Sequence, residues 1–360
     1  MSEKSETTES RIQSLRGLRG WAMLLIVLWH LNAVFPGNLP RLGNLGVDLF
    51  LMLSGFLIAR KCAGPDDSLR TFRSSAAYLF QKLKSSYFLY LVPAVPVFLL
   101  DVFAAPVKPS GPLWRLLSYG TLTQSWIPAP WIYWGVNGAG WFLPVVLFAY
   151  LMTPLVCKVV GRFGPLSVMI ACLVLQVAAE AVAERFLSET LCDWVLYICP
   201  AYRLLDFTLG FCAWRLMNGS APSAFRSLRT PGSRLLSLCF AALVAVIGVL
   251  LALQPEYLKY VAFHLPELGI LMIVASEKSA VAVALNRNPV MTQLGDLSRI
   301  IFFTHVPVMR LTGIVWRRIL GTDHAFLQWL VSLGVIILFA VAAEKIKKGH
   351  GFKNPCPRAS

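Results

Sequence analysis

The stretch LLSLCFAALVAVIGVLLAL, residues 235–253, decides the fold class, because nineteen consecutive positions carry no charge. A helix rises about 1.5 Å per residue, so a run of this length crosses the ~30 Å hydrocarbon core of a bilayer. The stretch AFLQWLVSLGVIILFAVAA, residues 325–343, has the same character. Both stretches predict transmembrane helices.

The composition of the whole chain agrees with a membrane protein. Hydrophobic residues make up 57% and charged residues 14% of the 360 residues, against about 45–50% and about 25% in soluble domains. The mean hydropathy is +0.64. These values exclude disorder and argue against an ordinary soluble enzyme. The eight cysteines contain no C-x-x-C pair and are interpreted as small buried hydrophobes.

Apolar runs recur along the chain and predict an all-α, polytopic membrane protein with about ten transmembrane helices. Pro93 and Pro96 interrupt the third run. No small-x-small cleavage site follows the first run, so it is interpreted as an uncleaved helix and not as a signal peptide. The predicted spans are residues 20–36, 43–60, 84–102, 139–157, 165–183, 194–215, 235–253, 257–276, 291–310 and 325–343.

The distribution of basic residues predicts the orientation in the membrane. With a cytoplasmic N-terminus, the cytoplasmic side holds 23 Lys and Arg residues and the opposite side holds 8, while Arg203 and Arg299 lie inside spans. This positive-inside bias places both termini in the cytoplasm. The bias also explains the net charge of +15, and no motif suggests a nucleic-acid partner. Residues 1–13 are predicted to be a disordered cytoplasmic tail, and residues 346–360 a basic one.

Arg19 and His30 are the most informative polar residues, because an ionisable side chain inside a span is costly and suggests function. They are eleven residues apart, which places them on one helix face with a rise of ~16 Å. An imidazole can act as a general base on a hydroxyl or as a transient acyl acceptor. The alternative is a histidine hydrogen-bonded between helices, with Arg19 reaching to the interface.

Other polar residues in the second and ninth spans have similar alternatives. Asp48 lies near the external end of its span and needs a His or Arg partner. Ser54 precedes Gly55 and is interpreted as packing more than chemistry. Ser298 and His305 are seven residues apart and share a face, which makes His305 a second candidate base.

Two further pairs have the i, i+3 spacing that places side chains on one helix face. Arg203 and Asp206 form the first pair and His264 and Glu267 the second. A structural ion pair and a substrate contact are both open for the first. The long external segment, residues 103–138, contains four tryptophans and fits either an interfacial aromatic belt or a lid or carbohydrate-facing surface.

Five blocks of sequence, taken in order, resemble the integral-membrane acyltransferase-3 family. They are SLRGLRG at 14–20, GVDLFLMLSGFLI at 46–58, WFLPVVLFAYLMTP at 141–154, YRLLDFTLG at 202–210 and LGDLSRIIFFTH at 294–305. The family also has an arginine followed by ten residues and then the histidine, which Arg19 and His30 match. The resemblance implies an acyltransferase-3-like transmembrane domain over residues 14–345 and an O-acyltransferase activity.

The resemblance further implies acetyl-CoA as the acyl donor. Arg19, with Lys82 and Lys84, would bind its phosphates, and His30, Asp48 and His305 would be the catalytic candidates. Many relatives have an Arg-x-x-Arg pair before the third helix, where this chain has Ser85 in the second arginine position. Ser54, Arg203, Asp206 and Ser298 are expected to contact substrate or to be structural. No metal is expected.

The acceptor implied by the family is a sugar hydroxyl on an exopolysaccharide or another lipid-linked glycan, in a bacterial inner membrane. A lipopolysaccharide, a lipo-oligosaccharide or a macrolide is not excluded. Partners would be the lipid bilayer, the glycan and glycan-assembly proteins. Two other interpretations remain open: an exporter of polysaccharides or small molecules, and an inactive subunit of a glycan-assembly complex.

Overall fold

The computed structural model describes residues 2–31, 42–64, 69–104, 111–219, 234–253, 259–320 and 325–349. The structure is 88% helical, and the described residues contain no strand. This confirms the predicted all-α fold.

The first half of the described chain contains eight helices. They are α1 (Ser2–Leu31), α2 (Leu42–Cys62), α3 (Phe72–Leu91), α4 (Ala94–Ala104), α5 (Pro112–Gly120), α6 (Pro130–Tyr133), α7 (Phe142–Leu151) and α8 (Thr153–Phe163). The second half also contains eight. They are α9 (Pro165–Phe186), α10 (Glu189–Asp193), α11 (Pro200–Asn218), α12 (Arg234–Leu253), α13 (His264–Ser276), α14 (Ala280–Asn286), α15 (Pro289–Leu320) and α16 (Ala325–Gly349).

In the described part of the chain, five helical segments are long and apolar enough to cross a membrane, and the total is eight if each of three bent helix pairs is one span. The single segments are Leu42–Cys62, Pro165–Phe186, Glu189–Asn218, Arg234–Leu253 and Leu327–Lys345. The bent pairs are α3 with α4, α7 with α8, and the segment Val261–Ser276 with α14. These eight correspond to the predicted spans other than the first and ninth.

The first and ninth predicted spans correspond to α1 and α15. Helix α1 is described only as far as Leu31, so the end of the predicted first span lies outside the described residues. Helix α15 contains Asp296, Arg299 and Arg310, which lower its hydropathy. These two helices nevertheless hold the two candidate histidines.

The ends of two helices differ from the predicted boundaries. Helix α3 begins at Phe72, twelve residues before the predicted third span, because Thr71 and Ser74 form a capping box with an Oγ1···N distance of 3.2 Å. Helix α1 begins at Ser2 and so includes most of the predicted N-terminal tail. No Gly or Pro interrupts it before Gly17. Residues 350–360 of the predicted C-terminal tail lie outside the described residues.

Glycines allow the central helices to pack with their backbones in contact. A Cβ at Gly20 of α1 would lie 2.0 Å from the Met291 carbonyl oxygen, and one at Gly295 of α15 would lie 1.9 Å from the Arg16 carbonyl oxygen. Such distances exclude any side chain, so α1 and α15 approach as closely as helices can. The resulting register brings the functional side chains of these two helices together.

Helices α2 and α11 meet in the same way. A Cβ at Gly55 would lie 1.8 Å from the Phe207 carbonyl oxygen, and one at Gly210 would lie 1.7 Å from the Met52 carbonyl oxygen. Asp48 and Arg203 each lie seven residues, about two turns, before the glycine of their own helix. The glycine contact therefore sets the register in which these two charged residues meet.

Candidate active site

His30 and His305 form a pair at the interface of α1 and α15. The Nδ1 atom of His30 lies 3.3 Å from the Nε2 atom of His305. The two rings are edge to face, with centroids 4.7 Å apart. His305 is fully buried and His30 is half-buried. The structure thus brings the two predicted candidate bases together.

Carbonyl acceptors set the tautomer of both rings. Nδ1 of His305 lies 3.0 Å from the Ile301 carbonyl oxygen, and Nδ1 of His30 lies 2.9 Å from the Ile26 carbonyl oxygen. A carbonyl oxygen only accepts, so each Nδ1 carries a proton. Nε2 of His305 is then the acceptor that faces the Nδ1–H of His30. Nε2 of His30 is left with a lone pair, which is the state a general base requires.

A cavity of about 10 Å³ lies against His30 and has space for roughly one water molecule. Ile26 and Val47 supply apolar walls, and Trp134, Trp141 and Tyr197 supply aromatic ones. Trp134 belongs to the long segment that the sequence predicts to be external. The other tryptophans of that segment are exposed, namely Trp114, Trp126 and Trp131. Trp134 thus lines the cavity at His30, and we call residues 134–139, whose two ends line it, the cover.

Asn137 holds the cover against α15. Pro307 lies inside α15 and has no N–H group, so the carbonyl of Phe303 lacks its usual partner four residues later. The amide Nδ2 of Asn137 donates to that carbonyl at 2.9 Å. The Oδ1 atom of the same side chain accepts from the Ala139 N–H at 3.1 Å. Ala139 lines the cavity, so this contact sets the position of the cover beside the histidines.

A second polar cluster is fully buried between α2, α11 and α13. Arg203 is 1% exposed, donates through Nη2 to Asp48 and forms an ion pair with Asp206, in which Nη1 lies 2.8 Å from a carboxylate oxygen. Nε2 of His264 lies 3.5 Å from an oxygen of each aspartate. Gln176 donates to Asp206 at 2.6 Å. The predicted Arg203–Asp206 pair therefore forms, and Asp48 meets both an arginine and a histidine.

Glu267 completes this cluster. It is fully buried, and among the described residues neither of its carboxylate oxygens has a hydrogen-bond partner. It lies one turn from His264, as predicted, but the His264 imidazole is directed to the two aspartates. One ligand atom from each of Asp48, His264 and Glu267 lies within 4.8 Å of the others, so these residues could hold a metal ion. One oxygen of Asp48 is already bound by Arg203.

Tyr197 connects the buried ionic cluster to the histidine cavity. The guanidinium carbon of Arg203 lies 5.7 Å from the centroid of the Tyr197 ring, which is a cation–π contact. The same ring lines the cavity and packs against Trp141 with centroids 4.8 Å apart. The cluster therefore stabilises one wall of the cavity without touching the space inside it.

Arg19 lies on α1 away from the histidines, at the end that the sequence predicts to be cytoplasmic. It is half-buried and lies within electrostatic range of Tyr78, Tyr150, Asp296 and Arg299. The rings of Tyr78 and Tyr150 are in edge-to-face contact at 5.3 Å. The 11 residues from Arg19 to His30 span ~16 Å along the helix. Arg19 and His30 therefore lie at two separate positions along α1.

Two lysines extend the basic group around Arg19. Their ammonium groups lie over the Tyr78 ring, Lys61 at 4.2 Å and Lys82 at 5.1 Å from its centroid. Lys84 is exposed, and its position two residues after Lys82 places it on the other side of α3. The structure thus brings Lys82 but not Lys84 close to the Arg19 neighbourhood.

A larger cavity of about 730 Å³ is lined in part by Cys62, the residue after Lys61 in α2. Its lining includes three basic side chains, Arg70, Lys158 and Arg215. This volume lies within the ~300–1,000 Å³ range of small-molecule sites. A nucleotide-sized anion would find both space and positive charge there.

The two predicted serines have local partners. Ser54 donates to the Phe50 carbonyl at 2.7 Å and lies within hydrogen-bonding range of the Tyr150 side chain. Ser298 donates to the Gly295 carbonyl at 2.8 Å. Both serines therefore make backbone contacts within their own helices, which fits a packing role.

This multi-helix membrane protein has a histidine pair at a helix interface and a basic group ~16 Å away along α1. The arrangement suits an acyl-transfer enzyme. A family model described as an acyltransferase domain matches residues 12–345. The match covers nearly the whole chain, so the chain belongs to this acyltransferase family.

Two of three relatives of the chain are described as acyl- or acetyltransferases. The acyltransferase MdmB of Streptomyces mycarofaciens is 26% identical over 97% of this chain and 92% of its own length. A putative acetyltransferase, ORF330, of Acidianus two-tailed virus is 24% identical over 88% of each chain. The regulator of hypoxia-inducible factor 1 of Caenorhabditis elegans is 27% identical over 37% of this chain and 27% of its own. No solved structure matches.

Proposed function

We propose that this acyltransferase moves an acetyl group from acetyl-CoA to a sugar hydroxyl of a membrane-tethered glycan, with His30 as the general base. The observation that carries the proposal is the tautomer of the histidine pair. Both Nδ1 atoms donate to carbonyl oxygens and therefore carry the ring proton, and Nε2 of His30 is left as the base.

The chemistry follows from this arrangement. Nε2 of His30 takes the proton of the acceptor hydroxyl while its oxygen attacks the thioester carbonyl carbon. The Nδ1–H of the resulting imidazolium stays on the ring and donates a hydrogen bond to Nε2 of His305, 3.3 Å away, as well as to the Ile26 carbonyl. His305 thus orients His30 and stabilises its charged form, as the buried carboxylate does in a Ser-His-Asp triad. The C–S bond then breaks, and the departing thiolate takes the proton from Nε2.

The basic group supports a nucleotide-bearing donor. Lys61 and Lys82 lie over the Tyr78 ring, and Arg19 is within electrostatic range of it. The lining of the cavity of about 730 Å³ includes Cys62, the residue after Lys61 in the chain. CoA carries phosphates at one end and the thioester at the other. Phosphates bound near Arg19 would leave the thioester to extend along α1 toward His30.

The sugar acceptor is proposed from the family and from the cover over the histidines. Trp134 and Trp141 line the small cavity at His30, and aromatic faces are good partners for sugar rings. Trp134 lies in the segment predicted to be external, residues 103–138, so the acceptor would arrive from the far leaflet of a bacterial inner membrane. A cavity of about 10 Å³ suits one hydroxyl and not a passing polysaccharide, which favours transfer over export.

Mass spectrometry of the surface glycan tests the proposal. The gene is deleted and then restored as wild type, His30→Ala or Gly248→Ala. The last is a matched control, because a Cβ at Gly248 meets no atom within 4 Å. We expect the mass of one acetyl group to disappear on deletion and to return with wild type and Gly248→Ala alone.

Two outcomes would contradict the proposal. Acetylation restored by His30→Ala would remove His30 from the chemistry. Unchanged acetylation on deletion, with glycan accumulating inside the cell, would show that the acceptor is wrong and would favour export.

A further inference from the structure

Arg299 is a half-buried cation of α15 that the mechanism above does not use. Its Nη1 donates to the Ser85 hydroxyl of α3 at 3.1 Å, and Glu344 is an acid within its electrostatic range. A guanidinium carries five N–H donors in a planar fork. The bond to Ser85 therefore fixes the direction of the side chain and leaves donors for a further acceptor.

Arg299 lies closer to the histidine pair than Arg19 does, because it precedes His305 by six residues whereas Arg19 precedes His30 by eleven. The ion pair of Arg16 with Asp296 joins α1 to α15, and the two helices run in the same direction from there to His30 and His305. Measured from the histidine contact, the two arginines are offset by about five residues, or ~7.5 Å along the helices. The two guanidiniums are nevertheless within electrostatic range of each other across the interface.

This neighbourhood contains more positive than negative charge. Asp296 is the acid near Arg19, but its two oxygens accept from Nε and Nη2 of Arg16. Two half-buried guanidiniums repel each other more strongly than they would in water. Lys61 and Lys82 add two ammonium groups around Tyr78. A multiply charged anion between the arginines would relieve this repulsion.

We propose that Arg299, together with Arg19, binds the diphosphate group of the acyl donor. An arginine fork matches two phosphate oxygens at once, which a lysine does not. The inference rests on the proposed function, because only there is the donor a CoA thioester. It adds a binding residue from α15, which puts the phosphate site and the histidine pair on the same two helices.

The distances along the helices agree with this assignment. From Arg299 to His305 the rise is ~9 Å, and from Arg19 to His30 it is ~16 Å. The pantetheine arm, which joins the diphosphate of CoA to its sulfur, has an extended length of the same order as the longer rise. Phosphates held by both arginines would therefore allow the thioester carbonyl to reach Nε2 of His30.

Calorimetric titration of the detergent-purified full chain tests the inference. The probes are CoA, inorganic pyrophosphate and acetyl-pantetheine, which lacks the diphosphate. The variants are Arg299→Gln, Arg299→Lys and Arg162→Gln, the last being a control at an exposed arginine of α8. We expect Arg299→Gln to weaken CoA and pyrophosphate binding about 10- to 100-fold. Arg299→Lys should lose less, while Arg162→Gln should match wild type.

The phosphate-free probe separates binding from folding. Acetyl-pantetheine should bind wild type and Arg299→Gln equally. An equal loss for CoA and acetyl-pantetheine would show a purely structural role and overturn the inference, as would unchanged CoA binding in Arg299→Gln. Arg299-dependent CoA binding without acetyl transfer would instead support the phosphate site and refute the proposed function.

Discussion

Replacing His305 by phenylalanine tests the histidine pair more directly than any other single change. Phenylalanine keeps the ring that packs edge to face on His30 but removes both nitrogens. Nδ1 of His30 keeps its bond to the Ile26 carbonyl, so the tautomer of the base is retained. The variant should therefore fold and bind acetyl-CoA as the wild type does.

What the substitution removes is the second acceptor for the Nδ1 proton of the His30 imidazolium, so that only the Ile26 carbonyl remains. A hydrogen bond to a charged group contributes about 1.5–3 kcal/mol, which at about 1.36 kcal/mol per tenfold corresponds to a roughly 10- to 150-fold lower kcat. The KM for acetyl-CoA should not change, since the bond strengthens only when His30 is charged.

The assay is the initial rate of radiolabelled acetyl transfer from acetyl-CoA to glycan-bearing membranes. His305→Gln serves as the matched variant, because its amide oxygen can accept the same proton and should restore part of the rate. A wild-type rate in His305→Phe would refute the reasoning. A loss of acetyl-transfer rate as large as that of His30→Ala would also refute it, because His305 would then be as essential to the reaction as the base itself.

Three further outcomes are expected. Gly210→Ala should lower the free energy of unfolding by about 1–3 kcal/mol, since its Cβ would lie 1.7 Å from the Met52 carbonyl oxygen. Gly248→Ala is the control, because a Cβ there meets open space and should not lower the free energy of unfolding. Thermal unfolding in detergent compares the two variants. Arg203→Met should cost about 3–5 kcal/mol by leaving buried carboxylates unpaired, and a wild-type melting temperature would contradict this. Trp134→Ala should raise the ratio of CoA released to acetyl transferred, because water can reach the uncovered cavity; an unchanged ratio would remove Trp134 from the cover.

Features that depend on a single helix could be predicted from the sequence. The apolar runs gave the eight helical segments or bent pairs that qualify as spans, because hydropathy over ~20 residues determines them. The i, i+3 spacing correctly predicted that Arg203 and Asp206 share a helix face, and the structure shows them as an ion pair at 2.8 Å. The shared face of Arg19 and His30 follows from the same periodicity of one unbroken helix, α1.

Contacts between helices could not be predicted in this way. His30 and His305 were separate candidates, 275 residues apart, and nothing in their local sequence indicates that they meet. The register between α1 and α15 depends on backbone contact at Gly20 and Gly295, which only the packed structure shows. The contact of Arg299 with Ser85 was missed for the same reason. An unassigned arginine inside a predicted span was the signal that could have suggested it.

The proline inside α15 has a consequence for how this family can vary. Asn137 finds an unused carbonyl at Phe303 because Pro307 cannot donate to it. A residue with an N–H at position 307 would reclaim that carbonyl, and Asn137 would lose its partner. The two positions, 170 residues apart, are therefore expected to be inherited as a pair. Aligned homologues should show them changing together, and either substitution alone should be less well tolerated than both.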